Sequence, residues 1–210
     1  MHRVWKMRAP LAASPWIVSA ASRLEAFGDQ GPEQSELANL FQLPHCLDKQ
    51  ARTVRAIIET PAGHRSKFNY DPESESFALH KVLPAGMAFP MAFGFVPGTL
   101  AEDGDPIDII LLADEDLPVG CLASVVLLGV IEARQMERDG SAYRNDRLIG
   151  RTAESRMYAD VHDLDCLGEA MVGELTRFFE TYNALKGKSF EVTAISDPAR
   201  ACALIEEATQ

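Results

Sequence analysis

The stretch Glu102-Asp103-Gly104-Asp105-Pro106-Ile107-Asp108 sets three aspartates at spacings of two and three residues, directly ahead of the apolar run Ile109-Ile110-Leu111-Leu112. Three carboxylates gathered across a Gly-Pro-kinked turn repel one another unless a divalent cation lies among them, and hard oxygen donors suit magnesium better than zinc. No Lys or Arg between Glu102 and Asp116 offsets the charge. Asp108 sits in a run that reads as buried, where an isolated carboxylate is costly to desolvate, so it needs a cationic partner. A solvated acidic turn accounts for any one of these aspartates alone. Together they point to a metal centre, and not to an EF-hand loop: counting from Asp103, position six is Asp108 where that loop needs Gly, and position twelve is Asp114 where it needs Glu.

The elements that must carry this turn are short and β-rich. Strands are expected over Val54–Thr60, Lys67–Tyr70, Phe77–Leu83, Ile107–Leu112, Cys121–Ala133 and Tyr143–Ile149. Breaks such as Pro61-Ala62-Gly63, Asp71-Pro72-Glu73 and Asp139-Gly140 connect antiparallel strands rather than βαβ crossovers, which makes a small closed barrel the economical reading. Leu167, Met171, Leu175, Phe178, Phe179, Tyr182 and Leu185 then recur at helical spacing, with Gly187 as the stop. A strand-like Phe190–Ala194 follows, and Asp197-Pro198 opens a last short helix. The class is α+β, a barrel followed by packing helices.

Composition narrows the function classes. The 210 residues carry 20 basic and 31 acidic side chains, a formal charge of -11, and no basic stripe of the kind that releases counterions from nucleic acid. Residues 1–55 hold 7 basic and 5 acidic side chains against 13 and 26 in the remainder, so the acidity and the function are expected after residue 55. Cys46, Cys121, Cys166 and Cys202 show no C-x-x-C pair, which reads as reduced thiols in a cytoplasmic protein. No apolar run is long enough to span a bilayer. Met1–Arg8 is basic and Ala9–Ala21 mildly apolar, a faint secretory echo diluted by Pro10 and Pro15. Residues 1–50 are expected to be an extension, variable or with one short helix near Leu37, Leu40 and Phe41, and 51–210 the functional domain.

Asp103 to Ile109 matches the form D-[small]-D-P-hydrophobic-D-hydrophobic, and in this the chain resembles the soluble inorganic pyrophosphatases of the barrel-forming type. The similarity extends in order through Ile58-Glu59-Thr60-Pro61-Ala62, Lys67-Phe68, Phe89-Pro90, Phe93-Gly94-Phe95, Gly129-Val130-Ile131 and Phe178-Phe179-Glu180-Thr181-Tyr182, about residues 54 to 192. The resemblance implies an OB-like five-stranded antiparallel β-barrel with C-terminal packing helices, whose mouth binds Mg²⁺ and pyrophosphate and hydrolyses it to two orthophosphates. It implies Asp103 and Asp108 as ligands of a metal pair, Asp105 as the base that orients and deprotonates the attacking water, and Glu59 supporting outer metals. Lys67, Lys81, Arg147 and the Tyr182 hydroxyl would hold phosphoryl oxygens. It also implies a homo-oligomer. Such chemistry reconciles an acidic protein with a polyanionic substrate, because metals and a few placed cations do the binding.

The chain departs from the family pattern at several positions. Asn69 stands where a carboxylate is usual, Lys81 where an Arg would grip phosphate bidentately, Phe93 where a Tyr donates, and Asn183 where a Lys follows Tyr182. In the hairpin after Gly129 the match is Asn145-Asp146-Arg147, with Asn145 at an inner aspartate position and Glu137, Asp139 or Asp146 as replacement carboxylates. Alternation points Asp146 away from Asn145, so direct replacement would need a bulge. Taken without the resemblance, Lys67 reads equally as a solvated edge charge and Tyr182 as a core aromatic. Three readings stay open: a Mg²⁺-dependent pyrophosphatase of reduced activity, a hydrolase of another phosphoanhydride, and a non-catalytic metal- or phosphate-binding relative.

Overall fold

The computed structural model describes residues 39–209, so the expectations for the basic leader and for Leu37 lie outside the described residues. Among those described, the strands are β1 (Thr53–Thr60), β2 (Ser66–Asp71), β3 (Ser76–Val82), β4 (Ala92–Phe95), β5 (Asp108–Leu112), β6 (Leu122–Met136), β7 (Ala142–Arg144), β8 (Arg147–Thr152) and β9 (Ser189–Ser196); the helices are α1 (Glu169–Ala184) and α2 (Pro198–Glu207). β1 pairs with β4, β4 with β5, β5 with β8, β8 with β6, and β6 again with β1, which closes a ring of five strands. The C-terminal half of the fifteen-residue β6 runs on beyond the ring to pair with β7 and β9. β2 and β3 form a separate hairpin.

One ring contact corrects the antiparallel expectation. β5 and β8 run parallel, Ile109 opposite Leu148 through Leu112 opposite Arg151, while the other four ring contacts are antiparallel. Parallel neighbours need a long connection, and β6 with β7 supplies it by leaving β5 and turning back before β8 begins. The ring also needs β4, which was not expected as a strand because its four residues are too few to show alternation. Gly94 lets it lie close to β1: a Cβ there would stand 1.9 Å from the Ile57 carbonyl oxygen.

The stretch expected as a single strand, Tyr143–Ile149, divides into β7 and β8 at Asn145-Asp146. The Asp146 carboxylate accepts from the Ala133 N–H at 3.0 Å while the Asn145 N–H donates to the Ala133 carbonyl at 2.8 Å, so a side chain takes over part of the ladder and breaks it. Gly129, at φ +150°, bends β6 where its pairing with β8 shifts; a Cβ would stand 2.5 Å from the Ser196 carbonyl.

Alternation divides the core into two apolar layers. Ile109 and Leu111 of β5 pack with Val125, Leu127 and the α2 residues Ala201, Leu204 and Ile205. Ile110 and Leu112 pack with Phe89, Phe93 and the α1 residues Val172, Leu175, Phe179 and Tyr182. α1 ends as its sequence requires, with Gly187 at φ +70° and the Lys188 N–H returning to the Asn183 carbonyl at 3.1 Å. Asp197 caps α2, accepting from the Arg200 N–H at 2.9 Å, with Pro198 as the first helical residue. Ahead of β1, Leu40–Gln42 form a 3₁₀ turn, and the Phe41 ring meets Tyr70 and Phe95 at 5.1 and 5.0 Å. No helix among the described residues is long and apolar enough to cross a membrane.

Candidate active site

The Asp103–Asp108 turn is tied down at every step. Gly104, at φ +90°, allows the Ala101 N–H to bond the Asp105 carbonyl at 2.8 Å, and the Asp105 N–H closes on Asp103 Oδ1 at 3.2 Å. Thr99 Oγ1 accepts from the Ile107 N–H at 3.0 Å and donates to the Val96 carbonyl at 2.7 Å, fixing where the turn enters β5. Strand alternation then puts Asp108 on the same face as Ile110 and Leu112, the face turned towards α1.

That face opens into a cavity of about 630 Å³. Asp103, Asp105 and Asp108 line it together with Glu59, Lys67, Asn145, Arg147 and Tyr182, so eight of the nine expected site residues meet around one space. The ninth, Lys81, is not among the lining residues. An extra residue in β3 opposite the Lys67–Phe68 step shifts the register there, and His80 turns to the cavity instead. The Lys81 ammonium still lies 5.5 Å from the centre of the Tyr182 ring.

Charge is sorted across the cavity. Asp108 receives the cationic partner that its position demanded: Arg147 Nη1 lies 2.6 Å from Asp108 Oδ2. Glu59 is buried, and burial pushes its carboxyl up to about 7, reinforced by Asp108 and Asp105 and opposed by Lys67 and by the Tyr70 N–H, which donates to Glu59 Oε1 at 2.9 Å. Asp103 and Asp105 have solvent-facing surfaces yet are crowded by protein on their inner sides. Burial raises both carboxyls, and the neighbouring aspartates add to the rise. Facing them, Lys67 lies over the Phe93 ring at 4.9 Å and Arg147 over Phe179 at 5.4 Å.

Buried polar atoms without a partner also collect here. Among the described residues these are Asn69 Oδ1, Arg147 Nε, Thr176 Oγ1 and the Tyr182 hydroxyl, and all but Thr176 belong to cavity-lining residues. Buried polar groups are almost always paired, so their concentration around one space marks it as built for a polar ligand. Burial, and then the Asp108 charge, push the Tyr182 hydroxyl up to about 12, so it is held as a donor.

The hairpin replacements take other roles. Asn145 is buried, gives its amide N–H to Gln135 Oε1 at 3.1 Å and accepts from Arg147 at Oδ1, so it orients that guanidinium. Glu137 accepts from Lys188, Tyr143 and Gln135 at one oxygen, and these hydrogen bonds, that from Lys188 foremost, hold its carboxyl down to about 2. Asp139 closes its own turn on Ser141. Asp146 pairs with Arg144 at 2.5 Å and is not among the residues lining the site cavity; it lines an adjoining one that shares Asp103, Asp108 and Asn145 with it.

Among the described residues no three His, Cys, Asp or Glu side chains stand in one ready-made metal cage. The carboxylates instead border the cavity, with only oxygen donors on the acidic side. Asp103 and Asp105 make no ion pair with a protein cation among the described residues. That donor set fits hard divalent cations shared with an anionic ligand. His80, Gln135, Tyr143 and Lys186 also line the cavity and were not expected. Gln135 had a signal, a polar residue in an otherwise apolar alternation, and Lys186 stands four residues after Tyr182, one helical turn on.

A family model described as "Inorganic pyrophosphatase" matches residues 56–210. The chain is 38% identical over 164 residues to the inorganic pyrophosphatase of Thermus thermophilus, covering 77% of this chain and 90% of that one. It is 34% identical over 158 residues to that of Halalkalibacterium halodurans, covering 75% and 94%. Its fold is similar to the crystal structure of the Thermus thermophilus enzyme, with a TM-score of 0.73 over 81% of this chain and 97% of the other at 34% identity. The Neisseria gonorrhoeae structure gives 0.72 over 80% and 96% at 25% identity.

Proposed function

The chain belongs to the inorganic pyrophosphatase family and hydrolyses pyrophosphate to two orthophosphates, and we propose that it does so in the cavity between the Asp103–Asp108 turn and α1, with Mg²⁺ as the divalent metal. The observation that carries this reading is the convergence on one space of four carboxylates, of Lys67 and Lys186, which have no ion-pair partner among the described residues, and of three of the buried polar atoms without a partner there.

Asp103 and Asp108 would hold the metal ions, with Glu59 supporting an outer one. Asn145 is the weakest of this set, because its oxygen already accepts from Arg147. Bound there, Mg²⁺ supplies Lewis-acid polarisation of phosphoryl oxygen and lowers the pKa of water. Asp105 makes no ion pair among the described residues and has a solvent-facing surface, so its carboxylate is free to orient the attacking water and accept its proton. Lys67 and Arg147 hold phosphoryl oxygens and offset the charge that develops on the leaving phosphate, Lys81 assisting from beside Tyr182. The Tyr182 hydroxyl donates to the same group, which gives a partner to an atom that has none among the described residues.

The matched region, residues 56–210, supports a functional domain after residue 50, and Leu40, Phe41 and Leu43 pack onto that domain. A cytoplasmic site of action is supported by four free cysteines. A homo-oligomer belongs to the same family reading, and sedimentation of the purified protein tests it. A substrate panel tests the activity: pyrophosphate should be cleaved in preference to tripolyphosphate and ATP, and preferential cleavage of either of those would overturn it.

A further inference from the structure

Lys186 follows the last residue of α1 closely and reaches back over the helix end. Its ammonium lies 3.8 Å above the centre of the Tyr182 ring, and the residue lines the same cavity as the aspartate turn. Its backbone is pinned, because Arg138 Nε donates to the Lys186 carbonyl at 2.6 Å, so the side chain starts from a fixed point. No carboxylate among the described residues lies within ion-pair distance of it, whereas the neighbouring Lys188 is bound to Glu137 at 2.7 Å. It is half-buried and surrounded by like charge: Lys67 on β2, Lys81 on β3, Arg147 on β8 and Lys188 before β9. His80 lines the same space, and across it stand Glu59, Asp103, Asp105 and Asp108.

Clustering of cations around an unpaired ammonium is unfavourable without an anion to share. We propose that Lys186 is a further substrate-binding residue of this chain, its ammonium held by the Tyr182 ring where it meets a phosphoryl oxygen of pyrophosphate. The assignment rests on the pyrophosphatase reading and deepens it. Burial first, and then the surrounding cations, bring the Lys186 ammonium down to about 7. Above that pH the free residue is largely neutral; a bound polyanion favours its charged form, so binding draws in a proton.

The test compares wild type with Lys186→Gln and Lys186→Arg. In phosphate release with Mg²⁺, Lys186→Gln should raise KM for pyrophosphate about tenfold with kcat changed far less, and Lys186→Arg should recover most of the loss. Calorimetry with imidodiphosphate, a non-cleavable analogue, should show the same loss of affinity. At pH 8, in buffers of differing ionisation enthalpy, wild type should take up a proton that Lys186→Gln does not. An unchanged KM and analogue affinity in Lys186→Gln overturns the assignment, as does a lowered melting temperature with binding intact, which would mark the stack on Tyr182 as structural only. Wild type without turnover would instead overturn the parent reading, and the analogue titration would still decide the role of Lys186.

Discussion

Asp108 Oδ2 and Arg147 Nη1 lie 2.6 Å apart across the one parallel strand pair of the ring, at neighbouring positions at the starts of β5 and β8. The pair joins a carboxylate of the acidic turn to the cation that Asn145 orients, so fold and site share one contact. Arg147 is 7% exposed and Asp108 23%, and removing the cation leaves a carboxylate largely shielded from water. Arg147→Met should therefore cost about 3 kcal/mol of stability, read as a lowered midpoint in urea unfolding. An unchanged midpoint would show that the pair holds nothing together.

The Asp105 side chain makes no hydrogen bond or ion pair among the described residues, its backbone N–H alone closing on Asp103, so its replacement tests chemistry rather than folding. Asp105→Asn keeps the shape and loses the base. We expect kcat to fall by roughly 10² to 10⁴ with a melting temperature that is unaltered or raised, since burial and Asp108 disfavour the charged carboxylate. Activity within a few-fold of wild type would remove Asp105 from the proton transfer.

Glu59 carries a pH signature in the metal-free protein. Burial, with Asp108 and Asp105 adding to it, raises its carboxyl from 4.5 to about 7. Between those values the folded state keeps a proton that the unfolded chain has released, so stability falls as pH rises through that window. Glu59→Gln has no charge to desolvate. In EDTA it should match wild type near pH 4.5 and exceed it at pH 8 by on the order of 2 kcal/mol. A stability difference that is the same at both pH values would contradict the assigned cause.

Tyr182 offers the opposite separation of stability and function. Its hydroxyl is buried without a partner among the described residues, while its ring stacks with Phe178 at 6.0 Å and packs on Phe89 at 5.8 Å. Tyr182→Phe should leave stability unchanged or raise it by about 1 kcal/mol, and raise KM for pyrophosphate. Lower stability together with unchanged KM would make Tyr182 a core residue only.

The acidic turn was legible in the sequence because its geometry is local: Gly104, Pro106 and the Asp spacing act within six residues. The need of Asp108 for a cation was legible from its apolar setting, whereas the identity of the partner depended on a parallel pairing that no periodicity reveals. The exchange of Lys81 for His80 was hidden by one extra residue in β3, which reverses the alternation from which facing residues are inferred. Asn145 could be placed at the site from sequence, but its hold on Arg147 and Gln135 arises only where Asp146 interrupts the ladder. Lys186 was overlooked although its spacing from Tyr182 is helical, because ring and ammonium meet beyond the helix end, where periodicity stops being informative.

Phosphate release from pyrophosphate by the purified protein, measured over a panel of Mg²⁺, Mn²⁺ and Zn²⁺ against a metal-free control, tests the central claim most directly. Orthophosphate should appear with Mg²⁺ and vanish when EDTA is added. No release with any of the three metals would contradict the account, and so would release that continues undiminished in EDTA.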